Sequence, residues 1–197
     1  MKEFKIIFFM CGLLFVKAME IKGILDVIDT EPPSLLLVTY EGNLTVNNGN
    51  ELTPTQVKNE PNVTWEAKPD KYYLLIMVDP DPPAPFPLVN HWMIGNIPGN
   101  DYHSSMADVI VEYRGSGPPK GTGIHRYIFL VYEQSGKLSF ENEKRSTKLS
   151  RENRVKFSLK DLVQRHKLGD PISGNYYRAQ WDSFVDERQK LLTGELK

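Results

Sequence analysis

Apolar residues fall in brief runs along the first two thirds of the chain: Leu35 to Tyr40, Val63 to Ala67, Tyr72 to Val78, Val89 to Ile94, Val109 to Tyr113 and Tyr127 to Tyr132. Gly, Pro, Asn and Asp divide them. Many short strands bounded by turn residues predict an antiparallel β architecture. The run Tyr72-Tyr73-Leu74-Leu75-Ile76-Met77-Val78 is short, rich in aromatic and branched residues and stopped by Asp79-Pro80, so it reads as a buried strand rather than a helix. Helical spacing comes late. Ser158-Leu159-Lys160-Asp161 resembles a capping box opening a helix over Leu159 to His166, which Leu168-Gly169 and Pro171 terminate. A second helix is predicted at about Ser183 to Leu192, with Phe184, Val185, Leu191 and Leu192 spaced for one buried face. Between strands and helices, Glu141 to Asn153 is charged and poor in apolar residues, and is expected to be a solvated surface connection.

Two polar motifs abut the strongest of these strands. Asp79-Pro80-Asp81-Pro82-Pro83 follows Tyr72 to Val78, and Gly115-Ser116-Gly117-Pro118-Pro119-Lys120-Gly121-Thr122-Gly123-Ile124-His125-Arg126 precedes Tyr127 to Tyr132. Prolines at 80, 82, 83, 85 and 87 stiffen the first loop and hold Asp79 and Asp81 in place. In the second, glycines permit close backbone approach to a ligand, and exposed amides suit an anion. Asn90-His91-Trp92-Met93-Ile94 adds a second histidine in a third strand-like piece. Two carboxylates, two imidazoles, a phenol and loop amides around one cleft are the expected constellation. Taken alone, each histidine reads more readily as a hydrogen-bonded core residue, and Asp79 as a turn cap before proline.

The motifs themselves resemble those of the phosphatidylethanolamine-binding protein family, which includes the Raf kinase inhibitor protein. The resemblance rests on Asp79-Pro80-Asp81, on His91 in a strand and on the nearly unbroken run from Gly115 to Tyr127. It continues through Val131-Tyr132-Glu133-Gln134, Leu168 to Gly174 and Tyr177 to Asp182. It implies a mainly β fold, an antiparallel β-sandwich with peripheral helices and a C-terminal helix beside the pocket. By the same resemblance, Asp79, Pro83, His91, Gly117, Pro118, His125 and Tyr127 line a cavity for small anions such as phosphate-like headgroups. Asp81 matches the second aspartate, which orders the loop through Arg126, and Pro82-Pro83 is a candidate cis peptide. With protonated imidazoles, and with the phosphate donating a hydrogen to Asp79, such a site accepts a monoanion. Binding is then expected to strengthen below the ordinary histidine pKa of about 6.5. The segment from Pro83 to His91 is shorter than in mammalian-type members and lacks their basic, tyrosine-containing loop and its further histidine; Phe86 and Asn90 stand in that region.

The N-terminus adds a compartment. Lys2 and Lys5 precede the apolar stretch Ile6 to Val16, and Val16-Lys17-Ala18 places small residues for cleavage, the form of a secretory signal peptide over residues 1–18. About eleven apolar residues do not span a hydrocarbon core that needs roughly twenty. Removing the leader takes Lys2, Lys5, Lys17 and Glu3, so 24 basic residues less three face 25 acidic less one, a net charge of −3. That balance offers no nucleic-acid surface. The single cysteine, Cys11, leaves with the leader, so residues 19–197 form one domain held by its core rather than by disulfides. Asn43-Leu44-Thr45 and Asn62-Val63-Thr64 are glycosylation acceptors suited to a secretory route.

Three classes of function fit. The first is a secreted, non-enzymatic binding protein for a small anion or phospholipid headgroup, with no cofactor and no metal. The second is an extracellular serine-protease inhibitor or signalling modulator that works through its surface on a protein partner. The third is a phosphoesterase using the Asp and His residues as metal ligands or as an acid–base pair. His91 and His125 lack compact zinc spacing, and Ser116 has no base aimed at it in the sequence, which places the binding protein first.

Overall fold

The computed structural model describes residues 23–193. The elements run β1 (Ser34–Leu35), β2 (Leu37–Tyr40), β3 (Leu44–Thr45), β4 (Asn50–Glu51), β5 (Asn62–Thr64), β6 (Tyr72–Asp79), β7 (Val89–Pro98), β8 (Asp108–Val111), β9 (His125–Gln134), α1 (Leu159–His166), β10 (Ser173–Ala179) and α2 (Ser183–Thr193). A seven-stranded sheet has the order β1-β10-β9-β6-β7-β8, with β4 also pairing β10, and β3-β2-β5 form a second sheet. Pairing is antiparallel apart from β1 and β4, which lie parallel to β10.

The central strands read as unbroken apolar runs because both their faces are covered. In β6, Tyr73, Leu75 and Met77 face the small sheet, where Val38, Tyr40 and Val63 meet them together with Trp65. Leu74, Ile76 and Val78 face the other way, toward Leu159 and Leu162 of α1, Leu168 and Phe140. The single apolar run Leu35 to Tyr40 serves both sheets: Leu35 pairs with Gly174 of the large sheet, and Leu37 two residues on pairs with Thr64 of the small one. β10 has too few apolar residues in Ser173-Gly174-Asn175 to announce a strand, and forms because it lies between β9 and β1 with its ladder filled on both sides.

Helix α1 begins as its sequence predicts, with the Ser158 hydroxyl accepting from the Asp161 amide, and ends at Lys167 in the left-handed region. Helix α2 corrects an expectation. None of its residues is fully buried, and Leu191 is half exposed, so the face Phe184, Val185, Leu191 and Leu192 is no core face. The cis peptide is Ala84–Pro85, not Pro82–Pro83. The charged segment 141–153 is likewise more than a solvated connection. Ser146 is buried and bridges Val111, while Arg154, just beyond the segment, is 2% exposed. Its guanidinium donates to the carbonyls of Asn90, His91, Glu112, Thr147 and Ser150 at 2.8–3.3 Å. The leader, Cys11 and the cleavage position lie outside the described residues.

Candidate functional site

Antiparallel order brings the two motifs together. The end of β6 lies between the starts of β7 and β9, with Asp79 opposite Val89 and Val78 opposite Ile128, and the end of β10 lies beside the start of β9, Ala179 against His125. Asp79 and His125 are 4% and 1% exposed, and Asp79 Oδ2 lies 2.9 Å from His125 Nδ1. A carboxylate only accepts, so Nδ1 carries the hydrogen. His125 Nε2 is 2.8 Å from Thr122 Oγ1, and Asp79 Oδ1 accepts from the Asp81 amide at 2.8 Å. The pair therefore ties the proline loop to the glycine loop, with both nitrogens of the ring engaged.

His91 reaches the same place by a backbone irregularity. The β6–β7 register shifts between Met77/Trp92 and Val78/Asn90, which leaves His91 as the extra residue. A bulge re-aims side chains, and the ring of His91 stands edge-on to Tyr127 with centroids 5.1 Å apart. Its Nδ1 donates to Arg114 O at 2.7 Å. Burial, outweighing that hydrogen bond, pushes the His91 pKa down to about 3. The ring is neutral at ordinary pH, which corrects the expectation of protonated imidazoles for this residue.

Tyr127 stacks on Tyr177, and its hydroxyl accepts from the Gly117 amide at 3.1 Å. Burial raises the Tyr127 pKa well above that of an exposed phenol. The Thr122 amide donates to Pro119 O. Neither of these loop amides is free, so the expected row of anion-ready N–H groups is smaller than the glycine content implied. Pro118 is buried in the same loop, whereas Pro83 is exposed and its carbonyl accepts from the Phe86 amide of its own loop. The Asp81 carboxylate binds the Arg126 backbone amide, Nε and Nη2 at 2.7–2.9 Å, and Arg126 also grips Asp26 at 2.7 and 2.8 Å. The Asp81 carboxylate thus holds a loop, while its backbone amide is what ties it to Asp79.

Arg188 of α2 was not singled out by the sequence, where it looks like one charge on a mixed helix. Its Nη1 donates to Gly115 O at 2.8 Å, and its other terminal nitrogen lies over Gly117, where any Cβ would collide with it. Helix α2 is anchored above the loop by Asp182, which accepts from the Thr55 amide and hydroxyl, and by Lys120 stacked on Trp181. Ser116 Oγ and Tyr177 Oη are wholly buried and lie close to one another. No base faces Ser116, and no group of three His, Cys, Asp or Glu suited to a metal occurs among the described residues. Asn43 and Asn62 are exposed, as a glycan requires.

A sequence model of the family described as phosphatidylethanolamine-binding protein matches residues 42–177. A Drosophila melanogaster protein provisionally named odorant-binding protein A5 is 35% identical over 179 residues, 89% of this chain and 84% of that one. The 26 kDa secreted antigen of Toxocara canis is 38% identical over 166 residues, 80% of this chain but 61% of that longer protein. Among solved structures, the solution structure of CG7054 shares 40% identity and a TM-score of 0.67, covering 86% of this chain and 98% of that one. Carboxypeptidase Y inhibitor, solved in complex with its proteinase, shares the fold at a TM-score of 0.66 and 20% identity, covering 81% and 91%.

Proposed function

Because the chain belongs to the phosphatidylethanolamine-binding protein family, we propose that it is a secreted, non-enzymatic binding protein whose polar cleft takes a small anion or a phospholipid headgroup. The observation that carries this reading is the convergence of Asp79, His91, Gly117, Pro118, His125 and Tyr127 at one end of three adjacent strands. Buried polar residues in an otherwise apolar core are costly unless paired, and here they are paired into a fixed frame. Asp79 and His125 set the frame, Asp81 orders its rim through Arg126, and His91 and Tyr127 form a wall. The absence of a base at Ser116 speaks for binding over acyl or phosphoryl transfer. Secretion is supported by the leader over residues 1–18 and by the secreted relative in Toxocara. Glycans at Asn43 and Asn62 belong to the same route.

Titration calorimetry of the secreted protein with inorganic phosphate and with phosphorylethanolamine, at pH 5.5 and 7.5, tests the site. Saturable binding that is lost in His125→Ala is expected. Absence of binding to the unaltered protein, or equal binding by the variant, rejects the pocket and moves the protease-inhibitor reading to the front.

A further inference from the structure

Four arginines lie together beside these residues. Arg188 comes from α2, Arg114 follows β8, and Arg151 and Arg154 come from the segment before α1. They are knit together through shared partners. Arg114 Nη1 and Arg154 Nε both donate to Ser150 O, at 3.4 and 3.0 Å, Arg151 bonds to Gln189 next to Arg188, and the Arg114 carbonyl accepts from His91. Among the described residues none of the four forms an ion pair with a carboxylate. The acids near them are otherwise engaged: Glu112 accepts from the Lys148 amide, and Asp186 from the Trp181 indole.

Arg154 is neutralised in effect by its five carbonyls, as a structural clip. Arg188 and Arg114 are not. Arg188 has Gly115 O and lies over the ring of Phe184, with Tyr113, Tyr127 and Tyr177 around it. Burial, and then the neighbouring Arg188, Arg154 and Arg151, push the Arg114 pKa down from the usual arginine range, which is the signature of positive charges facing one another. A desolvated cation without a counter-charge costs several kcal/mol.

We propose that Arg188, with Arg114 and Arg151, forms a guanidinium cluster over Gly117 that makes the site selective for a phosphomonoester dianion. This rests on the pocket reading above and goes beyond it by naming the charge and esterification state of the ligand. A phosphomonoester carries close to two negative charges at neutral pH, and planar guanidinium groups meet its oxygens in pairs. A phosphodiester brings one charge, and a zwitterionic ethanolamine headgroup brings none overall. With His91 neutral and the Gly117 amide given to Tyr127, the arginines are the site's source of positive charge for that second negative charge.

The test compares glycerol 3-phosphate with glycerophosphoethanolamine by calorimetry at pH 7.5. The unaltered protein is set beside Arg188→Gln, Arg188→Lys and His125→Ala, each checked for folding by circular dichroism. At least tenfold preference for the monoester is expected, falling at least tenfold in Arg188→Gln and partly restored in Arg188→Lys. Co-sedimentation with phosphatidylcholine vesicles containing phosphatidic acid separates a lipid-borne monoester from a free one. Monoester affinity that is unchanged or tighter in Arg188→Gln overturns the proposal, and tighter binding would identify Arg188 as a plug. Binding that is lost in His125→Ala but insensitive to Arg188 leaves the pocket standing without the arginine cluster. The reverse pattern keeps the cluster and rejects the pocket, and no binding by the unaltered protein rejects both.

Discussion

The His91 ring is buried against Tyr127 and gives its Nδ1–H to Arg114 O, and its pKa of about 3 follows first from that burial. In the unfolded chain the ring takes a proton near pH 6.5. The folded pKa is depressed, so the stabilisation it implies is complete above pH 6.5 and is lost as pH falls from there toward 3. Urea midpoints should decline across that window by an amount equivalent to about 1 kcal/mol per pH unit, and His91→Gln should show a flatter profile. Equal slopes for the two proteins would reject burial as the cause. Asp81 and Asp26 act lower. Burial opposes ionisation of Asp81, but its bonds to Arg126 outweigh it, and Asp26's own bonds to Arg126 lead the lowering there, so both lie below the usual carboxylate range. Their contribution is present above about pH 4 and disappears as acid protonates them. Arg126→Gln should therefore be less stable than the unaltered protein at pH 7, with the difference closing toward pH 2.

Two elements lie against the strand ends, and they are held by different means. The segment before α1 is fixed by Arg154, whose single side chain satisfies carbonyls from β7, from Glu112 and from its own turn. Arg154→Met removes five hydrogen bonds from this segment, though the Arg114 and Ser150 amides still serve the carbonyls of His91 and Thr147, and a loss of about 3 kcal/mol is expected in denaturant titration. Helix α2 buries no residue fully and is attached by polar contacts at Asp182, Lys120 and Arg188. Its amides should exchange with deuterium far sooner than those of β6 and β9, and should be slowed when a ligand occupies the site. Protection in α2 equal to that of the central strands would show that it is part of the cooperative core.

At the scale of the whole molecule, one sheet covered on both faces supplies the core, and one end of its central strands gathers the buried polar residues Asp79, His91 and His125. The described helices include none long and apolar enough to cross a membrane. Expression in a eukaryotic host should deliver the protein to the medium with its N-terminus at Met19, read by Edman sequencing. Glycosidase treatment should shorten its apparent mass, and Asn43→Gln with Asn62→Gln should abolish that shift. Retention in cells with Met1 intact would reject the leader.

The long central strands and α1 were legible in the sequence because each carries a local signal, an uninterrupted apolar run between turn residues or a Ser cap before a periodic stretch. The family motifs were legible too, since Asp79-Pro80-Asp81 and Gly115 to Tyr127 are contiguous. Strand β10 and the division of Leu35 to Tyr40 between two sheets were not, because pairing partners far along the chain decide them. Nor were the bulge that turns His91 toward Tyr127, the carbonyl cage around Arg154, or Arg188 over Gly117. An arginine on a mixed helix reads the same whether it faces water or a cleft. What the sequence determined by itself was which residues are apolar, where turns must fall and which chemistry is available. Burial, the partners of each polar group and hence their charge arise only when distant segments exclude water from one another, and so belong to the tertiary structure.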